Sequence, residues 1–232
     1  MARQQDDQAA KVLKQIADNH PRFELPQRWL QTLSQERLGR IAVKSLDPNG
    51  SVHVGFWLDR QLDVRIRTGA AEEASHFEAR AELYQTLQIP GIVPFAVSGV
   101  APDGRPYLAT KTQGIPAAKR YQKRLAVLMV ADHLEEGLRL LWSLGELGVS
   151  VASFDLQACC VDVRERLWME DLSQCTRSTP EIAGEQNLRA AKQWCEAQLA
   201  HIGFKRRPLF ALDALAEAAD FDALIQWSRG LT

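Results

Sequence analysis

Between Arg40 and Arg67 three β-like runs, Arg40–Leu46, Ser51–Leu58 and Leu62–Arg67, follow one another with separators of only a few residues. No other feature constrains the fold as much, because parallel neighbours need a crossover of about a dozen residues or more and short connections leave antiparallel hairpins. The first separator, Asp47-Pro48-Asn49-Gly50, carries a strong hairpin-turn signal, and Asp59-Arg60-Gln61 forms the second. Ala71–Leu87 then reads as a helix, with Ala74, Phe77, Ala81 and Tyr84 at three- and four-residue steps, ending before Pro90-Gly91. Ile92–Val100 and Arg105–Thr112 are expected to be two further strands around Pro102-Asp103-Gly104. The order βββαββ therefore fills residues 40–112, a five-stranded sheet with one helix crossing behind it.

Helices flank this block on both sides. Val12, Leu13 and Ile16 form one apolar stripe near the start, and Trp29, Leu30 and Leu33 form a second after Pro21 and Pro26. Beyond the sheet, Ala126–Leu147 places Leu134, Leu138, Leu141 and Leu144 or Leu147 at core spacing, closed by Gly148. Cys159–Val163 and Leu167–Met169 form a small hairpin around Arg164-Glu165-Arg166, and the remainder is helical over Ile182–Ile202, with Leu188, Trp194 and Leu199 as its apolar positions, then Leu209–Ala218 and Phe221–Trp227. The expected division is a helical extension over 1–37, a first lobe over 38–116 and a helical second lobe over 117–232.

With 28 Lys+Arg against 29 Asp+Glu, the chain lacks the basic excess of a nucleic-acid binder, so no nucleic-acid partner is expected. No stretch reaches the ~18 consecutive apolar residues of a membrane span, and Met1–Ala10 lacks the apolar region of a signal peptide, which points to the cytoplasm. Cys159, Cys160, Cys175 and Cys195 include no C-x-x-C and read as reduced thiols. The five histidines show no metal-ligand spacing.

Several residues in this order carry chemistry. Val64-Arg65-Ile66-Arg67 ends the third long strand with a cation, and the next helix offers Glu78 and Glu82 one turn apart. After the long helix, Ser153-Phe154-Asp155-Leu156 precedes the hairpin, and Met169-Glu170-Asp171-Leu172-Ser173 follows it. Phosphoryl transfer asks for this kind of set: one carboxylate to orient the acceptor hydroxyl, another to hold magnesium on the nucleotide phosphates, and a cation to anchor them.

The element order and these motifs resemble the protein-kinase fold, with Arg67 where V-A-I-K has its lysine, Asp155 in the place of the H-R-D aspartate and Asp171 in that of D-F-G. Asp155-Leu156-Gln157-Ala158-Cys159-Cys160 is similar to the D-x-Y-x-C-H segment of the bacterial lipopolysaccharide-core heptose kinases, and Asp171-Leu172-Ser173-Gln174 to their D-L-H-R. The resemblance covers about residues 40–175. It implies an α+β, two-lobed protein-kinase-like fold with a five-stranded N-lobe and a short helical C-lobe. It also implies ATP and magnesium as cofactors, Asp155 as catalytic residue, Asp171 as metal ligand, and Arg67 with Glu78 or Glu82 at the nucleotide. The implied acceptor is a lipopolysaccharide-core or membrane-associated hydroxyl at the inner membrane, with a protein partner as the alternative.

The motifs are eroded in one direction. The first hairpin has the single glycine Gly50, the histidine and arginine of H-R-D are Ser153 and Phe154, and Cys160 offers magnesium a thiol where oxygen is preferred. Arg67 keeps the charge but replaces a compact ammonium with a planar fork. Weak or degenerate phosphotransfer is therefore expected, with a catalytically inactive pseudokinase scaffold as the rival reading. Each residue also has an ordinary role: Asp155 and Asp171 as turn caps, Arg67 as a strand-edge charge, Glu78 or Glu82 on a solvated face, and the cysteines as core thiols. The run Lys119-Arg120-Tyr121-Gln122-Lys123-Arg124 reads as a solvated helix start or, more sharply, as a contact for an anionic lipid surface or phosphorylated acceptor.

Overall fold

A computed structural model describes residues 2–19, 37–39, 41–46, 52–122, 127–199 and 210–231. The second apolar stripe (Trp29, Leu30, Leu33), the Pro48–Gly50 turn, Lys123 and Arg124 lie outside the described residues. The chain divides into two units, Met1–Glu82 with Phe95–Thr112, and Leu83–Pro94 with Gln113–Thr232. Both helices and antiparallel sheets are present, and the protein is of the α+β class.

In the first unit, β2 (Ile41–Leu46), β3 (Val52–Trp57) and β4 (Leu62–Thr68) pair in succession, as the short separators require. β5 (Phe95–Val100) and β6 (Pro106–Lys111) complete the five expected strands, and a two-residue β1 (Arg37–Leu38) extends the edge, giving the order β1-β2-β3-β4-β6-β5. Alternation along β4 decides its two faces: Val64 and Ile66 are fully buried with Ile41, Val43, Tyr107 and Ala109, while Arg65 and Arg67 point the other way. Gly55 is required at the centre of this packing, since a Cβ there would lie 2.7 Å from both Ile41 and Ile66.

Ile92–Val93 do not join β5, because Pro94 has no N–H to continue a ladder. They pair with β10 (Leu167–Met169) in the second unit: Ile92 bridges Met169 in parallel, and Val93 N–H donates to the Met169 carbonyl at 3.0 Å. Helix α2 (Ala74–Thr86) buries Phe77, Ala81 and Tyr84, the stripe read from the sequence. In α1 (Ala2–Asn19) the expected apolar stripe is largely on the outside, with Val12 and Ile16 exposed and Ala17 buried. Among the described residues no helix is long and apolar enough to cross a membrane.

The second unit is organised by α4 (Val127–Glu146), reached through β7 (Ile115–Pro116) and the short α3 (Ala117–Arg120). Leu134, Leu138, Leu141 and Leu144 are fully buried, whereas Leu147 is exposed because the helix has already ended. Gly148 makes that end at φ +66°, and a Cβ there would stand 2.7 Å from the Ser178 carbonyl oxygen. After β8 (Val149–Val151), β9 (Cys159–Val161) pairs with β10 in register Cys160↔Trp168, and β11 (Cys175–Arg177) returns to β8. β9 stops two residues before the expected Val163, which is 98% exposed. Asp162 ends it by turning its carboxylate onto the N–H groups of Arg164 and Arg166, with Trp168 Nε1 and the Arg166 guanidinium as further donors.

Helix α5 (Pro180–Leu199) follows, with Thr179 Oγ1 accepting from Ile182 N–H, so Thr179-Pro180 is a helix start. Its buried face is Ala183, Asn187, Ala190, Ala191, Trp194, Cys195, Gln198 and Leu199, which leaves Leu188 only half-buried, contrary to the sequence expectation. Then come α6 (Phe210–Glu217) and α7 (Phe221–Arg229), the latter capped by Asp220.

Candidate functional site

The loop between β8 and β9 is positioned by one apolar side chain. Phe154 is buried and meets the Trp194 ring edge-on, centroids 4.8 Å apart, so its neighbour Asp155 is held at the surface. The Asp155 carboxylate closes its own turn, accepting from Gln157 N–H at 2.8 Å and Ala158 N–H at 3.0 Å. Ala158 then faces the second loop: its carbonyl accepts from Glu170 N–H at 2.7 Å and Asp171 N–H at 3.0 Å. Asp171, half-buried, accepts from Ser173 N–H at 2.9 Å. The Asp155 carboxylate and the Asp171 backbone N–H, 16 residues apart, are thereby bonded to the N–H and the carbonyl of one residue, Ala158.

The loop carrying Asp171 has a second anchor, since the buried Tyr84 hydroxyl donates to the Glu170 carbonyl oxygen. Burial pushes the Cys159 thiol far up, assisted by Cys160, Asp155 and Glu170, and burial followed by Asp171 raises Cys175 to about 12. Cys159 and Cys160 are buried in β9, Cys160 completely, as core thiols. Thiols raised in this way, Cys159 and Cys175, stay largely protonated at neutral pH, which disfavours a nucleophilic role.

Arg67 lies in the other unit. It is no strand-edge charge: β4 is interior, and Arg67 stands between Val52 of β3 and Leu108 of β6. Glu78 and Glu82 are both exposed on α2. Among the described residues no three His, Cys, Asp or Glu side chains come together as a metal-binding group.

Sequence reasoning missed the clasp that fixes the β9–β10 hairpin to α4. His133, fully buried, has Nδ1 2.9 Å from the Tyr121 hydroxyl and Nε2 2.8 Å from the Glu165 carbonyl oxygen. A carbonyl only accepts, so Nε2 carries the proton and Nδ1 accepts from Tyr121. One turn on, Glu136 accepts from Leu167 N–H at 2.6 Å, and burial raises its carboxyl. Arg120 reaches the hairpin tip as well, with its Nε 3.0 Å from Glu165. That arginine, from the basic run, is thus engaged within the protein.

Burial lowers the His133 pKa below its usual 6.5, outweighing the Glu165 carbonyl that favours the charged form. A depressed histidine stabilises the fold fully above its unfolded pKa, and that contribution is lost as pH falls through about 6.5 toward the folded value. Urea unfolding at pH 7.5 and 5.5 should therefore show a drop in stability on acidification, and the drop should shrink in His133→Phe. Equal pH dependence in both proteins would exclude His133 as its source.

No family model and no curated protein matches the chain.

Proposed function

We propose that the chain is a degenerate phosphotransferase-family protein on a two-lobed kinase-like fold, akin to the lipopolysaccharide-core sugar kinases. The observation that supports this reading is the lacing of the two loops through Ala158, whose N–H donates to the Asp155 carboxylate and whose carbonyl accepts from the Asp171 backbone N–H. In this reading Asp155 orients the acceptor hydroxyl, Asp171 holds magnesium, and Arg67, steadied by Glu78 or Glu82, compensates phosphate charge. The donor set fits magnesium carried on ATP, because that ion is commonly held by one or two carboxylates and substrate phosphates. When bound, it would neutralise charge developing on the transferred group. The acceptor class is a core-sugar or other membrane-associated hydroxyl, met at the cytoplasmic side of the inner membrane.

A second reading, an inactive pseudokinase serving as a binding or scaffold module, is favoured by the engagement of both carboxylates with backbone amides and by the full burial of Cys160.

The readings separate in a thermal-shift titration with ATP and magnesium, followed by ATP turnover of the wild type and Asp171→Ala with core-oligosaccharide acceptors present. The expected result is a small magnesium-dependent shift. Turnover should be slow, at least about 100-fold below the roughly 1–100 s⁻¹ of ordinary kinases, and absent in Asp171→Ala. Turnover at ordinary kinase rates would overturn degeneracy. No shift together with equal background rates would overturn the enzyme and leave the scaffold.

A further inference from the structure

A groove among α4, α5 and α7 shares no lining residue with the aspartate loops. Its walls are aromatic and aliphatic, Trp142, Leu188 and Phe221, and Trp142 is 43% exposed. The two long helices meet at its base, where a Cβ on Gly145 would be in ordinary contact with the Gly184 Cα, 3.4 Å away. The cavity measures about 280 Å³, below the size range of cofactor sites and suited to a single inserted side chain.

Charge selects the occupant. Glu146, Asp220 and Asp222 line the groove, all exposed, and among the described residues no lysine or arginine does. Asp220 also caps α7, accepting from Ala223 N–H at 2.8 Å. Three carboxylates beside an open tryptophan repel a nucleic acid or an anionic lipid surface and attract a cation with a flat, weakly hydrated face. A guanidinium meets both demands, stacking on aromatic rings while donating to carboxylates. Leu147 and Ile182, within two residues of the lining in sequence, are also exposed.

We propose that this groove docks a basic segment of a protein partner, with one arginine side chain entering over Trp142 and Phe221 between Glu146 and Asp222. The structure supplies a clean way to block it. A Cβ on Gly184 meets nothing within 4 Å, so a side chain placed there enters open space without disturbing the helix contacts. Gly184→Leu should fill the groove and, by replacing a helix glycine, leave the melting temperature unchanged or raised.

The probes are fluorescein-labelled peptides Gly-Ser-Leu-Xaa-Leu-Ser-Gly with Arg, Gln or Glu at the central position, titrated against the full chain by fluorescence anisotropy. The arginine peptide should bind, and binding should weaken by about tenfold or more with Gln or Glu in its place. The same loss is expected in Gly184→Leu and in the Glu146→Gln, Asp222→Asn double variant, together with weakening by salt. Equal binding of the Arg and Gln peptides, no binding at millimolar concentration, or unchanged binding to a folded Gly184→Leu would each overturn the proposal. So would wild-type dimers that Gly184→Leu converts to monomers, since the groove would then belong to a second copy.

Discussion

Asn187→Ala should lower the stability of the second unit by about 3–5 kcal/mol, a large effect for a single polar substitution. The Asn187 side chain is fully buried and makes three hydrogen bonds: Oδ1 accepts from Val151 N–H at 2.7 Å, and Nδ2 donates to the carbonyls of Leu141 at 3.0 Å and Val149 at 2.9 Å. Truncation strips an N–H and two carbonyls of the amide that bonds them in the buried interior. Asn187→Asp should be nearly as damaging, because a carboxylate oxygen would face two carbonyl oxygens. Gln186→Ala, at an exposed neighbour, should stay within about 0.5 kcal/mol of wild type. Denaturant midpoints of the three variants make the check, and a wild-type midpoint for Asn187→Ala would remove the staple.

Gly114→Ala is the second large effect. A Cβ at this position would fall 2.0 Å from the Val161 carbonyl oxygen and 2.6 Å from its carbon. Both are backbone atoms, so no rotamer change relieves the overlap, and β7 must lift from β9, where Ile115 pairs with Val161 and Pro116 with Cys160. A loss of about 3 kcal/mol is expected, in the upper range for overpacking. It should be accompanied by faster amide exchange at Val161. Unchanged stability and exchange would mean that the strands are not in this close approach.

The sheet was legible because short separators leave few pairings open, and the long helix because its leucines repeat at core spacing. What escaped notice was polar and buried. His133 and Asn187 sit within apolar stripes of α4 and α5, beside Leu134 and Ala190, and a polar residue on such a face is the only signal that marks them in advance. Leu188 misled in the opposite sense: it is apolar but projects to a groove, while small Ala183, Ala190 and Ala191 take the core positions and let α5 pack closely. The candidate aspartates were identifiable from their order along the chain. Their coupling through Ala158 was not, because a backbone carbonyl leaves no trace in side-chain identity.

The four cysteines, all reduced and buried, turn the protein into its own clock for opening. Burial raises Cys195 and Cys175 to about 12 and pushes Cys159 well above its ordinary value, so these three thiols carry almost no thiolate in the native state. Iodoacetamide then reacts at the rate at which each segment transiently comes apart, and mass spectrometry can assign every alkyl group to β9, β11 or α5. The adjacent pair in β9 times the release of the strand beneath Asp155. Cys195 times the opening of the long-helix packing, independently and in the same tube.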